Sequence, residues 1–201
     1  MRMVDADEES VEAQLKAGEI ECLECGEGLR PWGHARPRSL RNRGDAVELR
    51  RRRSICPNCS QIEGRQKTHV LEPVVALLRR ADVVEVIGEA LEATFVLGRS
   101  RREVAARAGV PLDTVRGWRR RFTKRAEAIR VQFTELAHCW DPELGGIEAR
   151  GSPEQNALEA IGLAAGAGVR RFGPEPLWHL VARASGGRLL SNTSCPLPVP
   201  A

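Results

Sequence analysis

Cys22-Leu23-Glu24-Cys25 and Cys56-Pro57-Asn58-Cys59 are two C-x-x-C stretches that an arginine-rich insert separates. Each stretch lets two thiolates turn round one metal ion, and two together supply the four sulfurs of a tetrahedral zinc site. The insert is longer than the roughly 15 to 20 residues of the commonest four-cysteine pattern, so we expect it to carry an extended hairpin. The sequence therefore predicts a zinc ribbon in which Cys22, Cys25, Cys56 and Cys59 bind one Zn²⁺.

Redox dithiols or disulfides are the alternative interpretation of the two pairs. A thioredoxin-like pair lies between a strand and a helix of a βαβ unit, and neither pair has that context. Residues 1–10 are acidic and lack the apolar core of a signal peptide, which favours a reducing cytoplasm. Cys139 and Cys195 have no C-x-x-C partner and are expected to be plain thiols. His34 and His69 are either substitute ligands or ordinary residues of the ribbon.

Composition and the placement of charge limit the functions that the protein can have. The chain has 201 residues, of which 42% are hydrophobic, enough for one or two small domains. It has no run of 18 or more apolar residues, so the sequence predicts no membrane span. The formal net charge is only +4, but the first 27 residues are acidic whereas residues 30–53 and 99–130 are strongly basic. Two basic blocks in a folded chain indicate a polyanionic partner.

The first half of the chain is expected to form a helix over residues 1–18 and the ribbon over residues 19–72. Asn42 to Asp45 is predicted to be the turn of the arginine-rich hairpin, followed by one alternating strand from Val47 to Ile55. The four arginines of residues 50–53 are not expected to be buried, so this strand should project into solvent or onto a polyanion. Trp32 either anchors that surface or closes the ribbon core.

The periodicity changes from 2 to 3.6 residues after Pro73, which predicts a helix-turn-helix domain over residues 73–138. Capping boxes are predicted at Asp82 with Glu85 and at Ser100 with Glu103. Gly109 is expected in the turn, and a third helix should begin near Pro111 and continue to His138. The apolar face of that helix is predicted to contain Val115, Trp118 and Phe122.

The remaining segments are a linker over residues 139–152, a small helical region over residues 153–184 and a disordered tail over residues 185–201. Ser152 and Gln155 are expected to cap the first of the later helices. The predicted fold class is therefore α+β and mostly helical. It comprises a four-cysteine zinc ribbon with a small antiparallel sheet, a helix-turn-helix and further C-terminal helices.

Several motifs resemble those of a known group of proteins. The run from Arg50 to Cys59, in which an arginine-rich strand introduces the second cysteine pair, is similar to the zinc ribbon of transposases of the ISL3 type. Residues 11–122 resemble more closely a family of short actinobacterial proteins. The shared features are the ribbon, an ARPR segment (35–38), a THVLxP strand (68–73) and a TVRGWxRRF helix (114–122). This resemblance implies a zinc ribbon followed by a DNA-binding helix-turn-helix.

No catalytic residues are expected. A transposase needs three carboxylates on a large metal-binding sheet, and the region after Phe122 shows only helical patterns. We therefore expect a cytoplasmic, nucleoid-associated protein that is not an enzyme and that binds specific sites in double-stranded DNA. It would be a transcriptional regulator or a transposase-related accessory factor of a mobile element, with a transposase, a recombinase or a second copy of itself as a further partner. The alternative is a protein-interaction module that docks on an acidic partner such as transcription machinery.

The predicted roles on DNA divide between the helix-turn-helix and the ribbon. Residues early in the third helix are placed to meet base edges, whereas scattered cations are placed to hold phosphates. The expected base contacts are Asp113, Thr114, Arg116 and Arg120. The expected phosphate contacts are Arg50, Arg51, Arg52, Arg53, Arg101, Arg119, Arg121, Lys124 and Arg125.

Overall fold

The computed structural model describes residues 2–149 and 151–191. The chain divides into two compact units, one formed by residues 1–40 and 47–74 and the other by residues 41–46 and 75–201. The first contains a small sheet that is mostly antiparallel, and the second is built mainly of helices. The predicted α+β, mostly helical fold class is confirmed.

The first unit is organised around a four-stranded sheet. Its strands are β1 (Arg2–Val4), β2 (Arg30–His34), β5 (Arg52–Ile55) and β6 (Thr68–Pro73). Their order is β1-β6-β5-β2, with β1 parallel to β6 and the other neighbours antiparallel. The sequence analysis did not predict β1, because three residues are too few for a periodic pattern.

Two helices accompany this sheet. Helix α1 (Glu8–Ala17) begins at Asp7, whose side chain accepts hydrogen bonds from two backbone N–H groups, and ends at Gly18 in the left-handed conformation. Helix α2 (Pro57–Glu63) begins directly at the second cysteine pair. Val11 and Leu15 of α1 are buried in one apolar cluster. The other members of that cluster are Val4, Ile20, Cys22, Leu29, Cys56, Cys59 and Leu71.

A separate hairpin joins β3 (Arg38–Asn42) to β4 (Asp45–Leu49). Its turn has positive φ at Arg43 (52°) and Gly44 (99°), as a two-residue hairpin turn with the twist of the strands requires. The predicted turn is therefore present, but the predicted single strand from Val47 to Ile55 is wrong. The chain changes partner after Leu49, since β4 pairs with β3 whereas β5 pairs with β2 and β6.

The second unit contains the remaining five helices that the structure describes. They are α3 (Val84–Phe95), α4 (Arg101–Ala108), α5 (Leu112–Trp140), α6 (Pro153–Phe172) and α7 (Leu177–Ala184). The capping boxes predicted at Ser100 with Glu103 and at Ser152 with Gln155 are both formed. Apolar side chains of α5, among them Phe122, Ile129 and Phe133, are fully buried, and α5 packs along α6. None of the described helices has the length and apolar character that crossing a membrane requires.

Two sequence predictions for this unit are wrong. Asp82 does not cap α3, because its carboxylate pairs with Arg41, and the actual N-cap, Val83, makes no side-chain hydrogen bond. Disorder does not begin at Ser185, because Leu189 and Leu190 are buried and the carbonyl of Gly187 accepts a hydrogen bond from the N–H of Leu78. Residues 192–201, which include Cys195, lie outside the described residues.

Candidate metal centre and candidate nucleic-acid interface

The four predicted ligands come together in the first unit. All four Sγ atoms of Cys22, Cys25, Cys56 and Cys59 lie within 4.8 Å of one another. The closest pairs are Cys25 with Cys59 at 3.4 Å, Cys25 with Cys56 at 3.5 Å and Cys22 with Cys59 at 3.9 Å. These separations are much longer than the disulfide bond of about 2.05 Å, so the thiols are free. A tetrahedron with metal–sulfur bonds of about 2.3 Å has sulfur atoms about 3.8 Å apart, so the cluster fits a four-coordinate soft metal ion.

The first cysteine pair lies in a tight turn that its own backbone holds. The N–H of Gly26 donates to the carbonyl of Cys22 at 2.9 Å, and the N–H of Cys22 donates to the carbonyl of Glu27 at 2.8 Å. A backbone hydrogen bond at Glu27, followed by the Cys59 thiol, lowers the pKa of Cys25 to about 7. This turn therefore favours the thiolate, which is the form that binds metal.

The second pair opens helix α2. Cys56 is the N-cap residue, and its Sγ accepts a hydrogen bond from the N–H of Cys59 at 3.4 Å. The Ser60 hydroxyl donates to the carbonyl of Cys56 at 2.6 Å and accepts from the N–H of Lys67 at 2.9 Å, which ties α2 to the start of β6. Burial raises the pKa of Cys56, and the hydrogen bond with Cys25 raises that of Cys59. Without a cation these two thiols stay protonated, so a bound metal ion has to displace their protons.

Lys67 and His69 are the near neighbours of the cluster. The Lys67 ammonium lies 3.0 Å from a carboxylate oxygen of Glu24 in the first turn and 3.0 Å from one of Glu63 in α2. His69 Nε2 lies 3.7 Å from the Sγ of Cys22. This distance suits a hydrogen bond to the sulfur, and four cysteines already complete the tetrahedron. His34 is elsewhere, because its ring pairs with Glu8 and Arg52.

The arginine run does not project into solvent as expected. The side chain of Arg50 is 70% exposed, but those of Arg51 and Arg52 are only 19% and 11% exposed. Arg51 pairs with the buried Glu72, Arg52 pairs with Glu12, and Arg53 donates to the hydroxyl of Thr68 at 3.0 Å. The expectation that all four project into solvent or onto a polyanion is wrong, because acidic and hydroxyl groups from α1 and β6 pair with three of them. Trp32 is 44% exposed and therefore does not close the ribbon core.

Helices α4 and α5 and the turn between them have the predicted helix-turn-helix pattern. Gly109 ends α4 with φ of 63°, and its N–H reaches the carbonyls of Ala105 and Ala106. A Cβ at Gly109 would lie 2.4 Å from the carbonyl carbon of Arg43, so the hairpin tip also requires glycine here. Val110, Val115 and Trp118 are buried beneath the turn and the first part of α5, as predicted.

Five of the predicted DNA contacts line one concave surface in the second unit. This basic concavity has a volume of about 330 Å³ and is lined by Arg101, Arg116, Arg119, Arg120, Thr123 and Lys124. Arg119 is held at its edge, with its guanidinium carbon 5.6 Å from the centre of the Phe95 ring. Arg116 lies 3.0 Å from Asp113 in an exposed pair, which contributes little and leaves Arg116 available to a stronger anion.

The other predicted contacts lie outside the basic concavity. Asp113 is exposed and Thr114 half-buried in the first turn of α5. Arg121 and Arg125 are half-buried on the opposite flank of the apolar stripe of α5, and Arg125 donates to the carbonyl of Ser191 at 3.4 Å. Burial lowers the pKa of the half-buried Arg80, and the charge of Arg121 lowers it further.

No protein-family model, no curated protein and no solved structure matches the chain. The site therefore has to be interpreted from its own geometry.

Proposed function

We propose that this protein binds double-stranded DNA through α4, the turn at Gly109 and α5. The observation that carries the proposal is the basic concavity, where four arginines and a lysine from two helices converge on one surface. Clustered cations beside a helix-turn-helix are the electrostatic footprint of a duplex-binding protein. The half-buried arginines of the ribbon do not contribute in this way, so the helical unit carries most of the phosphate contacts.

Sequence recognition is assigned to the first turns of α5. In a helix-turn-helix the N-terminal part of the second helix enters the major groove. Asp113, Arg116 and Arg120 are exposed in that part of α5, and Thr114 is half-buried there. An arginine fork matches the O6 and N7 acceptors of guanine, so Arg116 is the principal base reader in this proposal. Arg101, Arg119 and Lys124 then hold the flanking phosphates.

The four-cysteine cluster is proposed to hold Zn²⁺. Sulfur ligands exclude hard cations such as Mg²⁺ and Ca²⁺, and the tetrahedral spacing suits zinc. Four protein ligands leave no open position for a substrate, so the ion would be structural. Its contribution is to fold the first unit, where three of the four cysteines belong to the apolar cluster.

The biological role that follows is that of a DNA-binding factor without catalysis of its own. It would act in the cytoplasm on nucleoid DNA, either as a transcriptional regulator or as an accessory factor of a transposase or recombinase. The resemblance of the ribbon, with its arginine-rich strand before the second cysteine pair, to the N-terminal part of ISL3-type transposases supports the second role.

Selection from a randomised duplex library tests the proposal. The zinc-loaded full chain is expected to enrich one motif and to bind it at least about a thousandfold more tightly than a scrambled duplex. The double variant Arg116→Ala/Arg120→Ala is expected to lose the enrichment. A chain that binds no duplex, or that enriches no motif, would contradict sequence-specific DNA binding.

A further inference from the structure

A larger cavity lies elsewhere in the second unit, between the end of α3 and the face of α6. It has a volume of about 570 Å³, within the range of pockets that hold small organic ligands. Its apolar wall contains Val96, Leu97, Leu158, Ile161 and Leu177. Val96 and Leu97 are 56% and 61% exposed, which is unfavourable for two adjacent aliphatic side chains unless something covers them.

The charged groups that the structure describes around this cavity have one sign. Of the described residues that line it, Glu92 and Glu159 carry charge, and both are acidic. Glu92 is half-buried and shares a hydrogen bond with Trp178, whose indole N–H can only donate. Burial raises the pKa of Glu92, and the nearby Glu89 carboxylate raises it further. A cation placed beside Glu92 would relieve both effects.

Gly162 is one of the residues that line the cavity. It lies in the middle of α6, where glycine costs about 1 kcal/mol relative to alanine. Packing explains Gly168 of the same helix, because a Cβ there would lie 2.7 Å from Leu180. At Gly162 an added Cβ would meet nothing within 4 Å, so no neighbour in the fold requires glycine. At this position only backbone atoms of α6 form the wall of the cavity.

We propose that this cavity is a binding site for a small organic cation with an apolar body. Val96, Leu97 and Ile161 would cover the apolar body, and Glu92 and Glu159 would receive the charged group. An amphipathic amine combines both features, whereas an anion would face two carboxylates. This cavity shares no lining residue with the basic concavity, so the proposal does not depend on the proposed function.

Nuclear magnetic resonance titration of the zinc-loaded full chain tests this site with three probes of one shape. They are 4-phenylbutylammonium, neutral 4-phenylbutanol and the anion 4-phenylbutyrate. The cation is expected to shift the indole N–H resonance of Trp178 and to bind about tenfold more tightly than the alcohol. The anion is expected not to bind. Equal affinity for the three probes, or no shift with the cation up to about 10 mM, a weak limit for an eleven-atom ligand, would overturn the proposal.

Matched variants locate the binding. Gly162→Leu fills the cavity and is expected to abolish binding of the cation, whereas Gly166→Leu, in the same helix but outside the cavity lining, should leave it unchanged. Glu92→Gln keeps an acceptor for Trp178, and together with Glu159→Gln it should remove the preference for the cation over the alcohol. Because the double variant Glu92→Gln/Glu159→Gln keeps the shape of the cavity, it remains informative if Gly162→Leu fails to fold. Cation binding that survives in folded Gly162→Leu, or a preference that survives in the Gln pair, would place the ligand elsewhere.

Discussion

Arg41 makes two parallel hydrogen bonds to Asp82, from Nε to Oδ1 at 2.8 Å and from Nη2 to Oδ2 at 3.0 Å. The Asp82 side chain is only 3% exposed, and its hydrogen bond raises the pKa of Arg41. Backbone hydrogen bonds accompany the pair, because Arg41 donates to the carbonyl of Ala81 and accepts from the N–H of Val83. The start of α3 is therefore fixed by Arg41 of β3 and not by a cap of its own.

The Arg41→Ala variant is expected to destabilise the second unit by about 3 kcal/mol, because it leaves a buried carboxylate without its cation. Arg43→Ala is the matched control in the same turn. Its partner Glu89 and its own side chain are both well exposed, so that change should cost less than about 1 kcal/mol. Urea unfolding, monitored by tryptophan fluorescence, measures the free energy of unfolding of both variants. Equal midpoints for the two variants would show that the buried pair contributes nothing.

Asp82 also shows why the sequence analysis predicted the start of α3 incorrectly. An Asp three residues before a Glu and beside an apolar run satisfies the capping-box pattern, which records only local spacing. The competing partner, Arg41, lies 41 positions earlier in the sequence and reaches Asp82 only after the chain has folded. The capping boxes at Ser100 and Ser152 were predicted correctly because their partners lie three residues away in sequence.

Arg51→Ala is expected to lower the stability of the first unit by about 1 to 2 kcal/mol, because the Glu72 carboxylate is 1% exposed and would keep only Arg38. The affinity for DNA should change little, since Arg51 is internally paired. Arg50→Ala is the matched control, because Arg50 is exposed and its pair with Glu48 lies at the surface. Thermal unfolding and duplex binding are measured on both variants. A weaker duplex affinity in Arg51→Ala at unchanged stability would restore this side chain as a phosphate contact.

The four-cysteine site is expected to hold about one zinc ion per chain, measured by mass spectrometry of metal content. Cys56→Ser should lose the metal and unfold the first unit, because metal binding in so small a unit supplies much of its folding free energy. Cys139→Ser is the control, since Cys139 is an exposed free thiol in the second unit. A chain that keeps the fold of the first unit in excess chelator would contradict a structural metal.

The metal site and the arginine run differ in how far sequence could predict them. Two C-x-x-C pairs fix which four residues converge, because few other arrangements satisfy four thiols. A run of four arginines does not reveal which acidic residues pair with it. Arg52 pairs with Glu12, 40 positions away, and Arg51 pairs with Glu72, 21 positions away. Lys67 was missed for the same reason, since its bridge from Glu24 to Glu63 exists only after the two cysteine turns meet.

Arg116→Ala is expected to cost about 1 to 3 kcal/mol on the preferred duplex and to relax the preference at one base pair, because it removes a bidentate contact to guanine. Arg107→Ala is a suitable control, since Arg107 is an exposed arginine in the last turn of α4 that does not line the basic concavity. Competition between specific and random duplexes measures both effects. A loss of the same size on every duplex would make Arg116 a phosphate contact and not a base reader.

The salt dependence of duplex binding tests the central claim most directly. If the three phosphate contacts assigned to the basic concavity, Arg101, Arg119 and Lys124, neutralise one phosphate each, the logarithm of the affinity should fall with the logarithm of salt concentration with a slope of about −3. The double variant Arg101→Ala/Lys124→Ala should reduce the magnitude of that slope by about two. A slope near zero for the wild-type chain, or the same slope in the double variant, would show that this surface does not bind DNA.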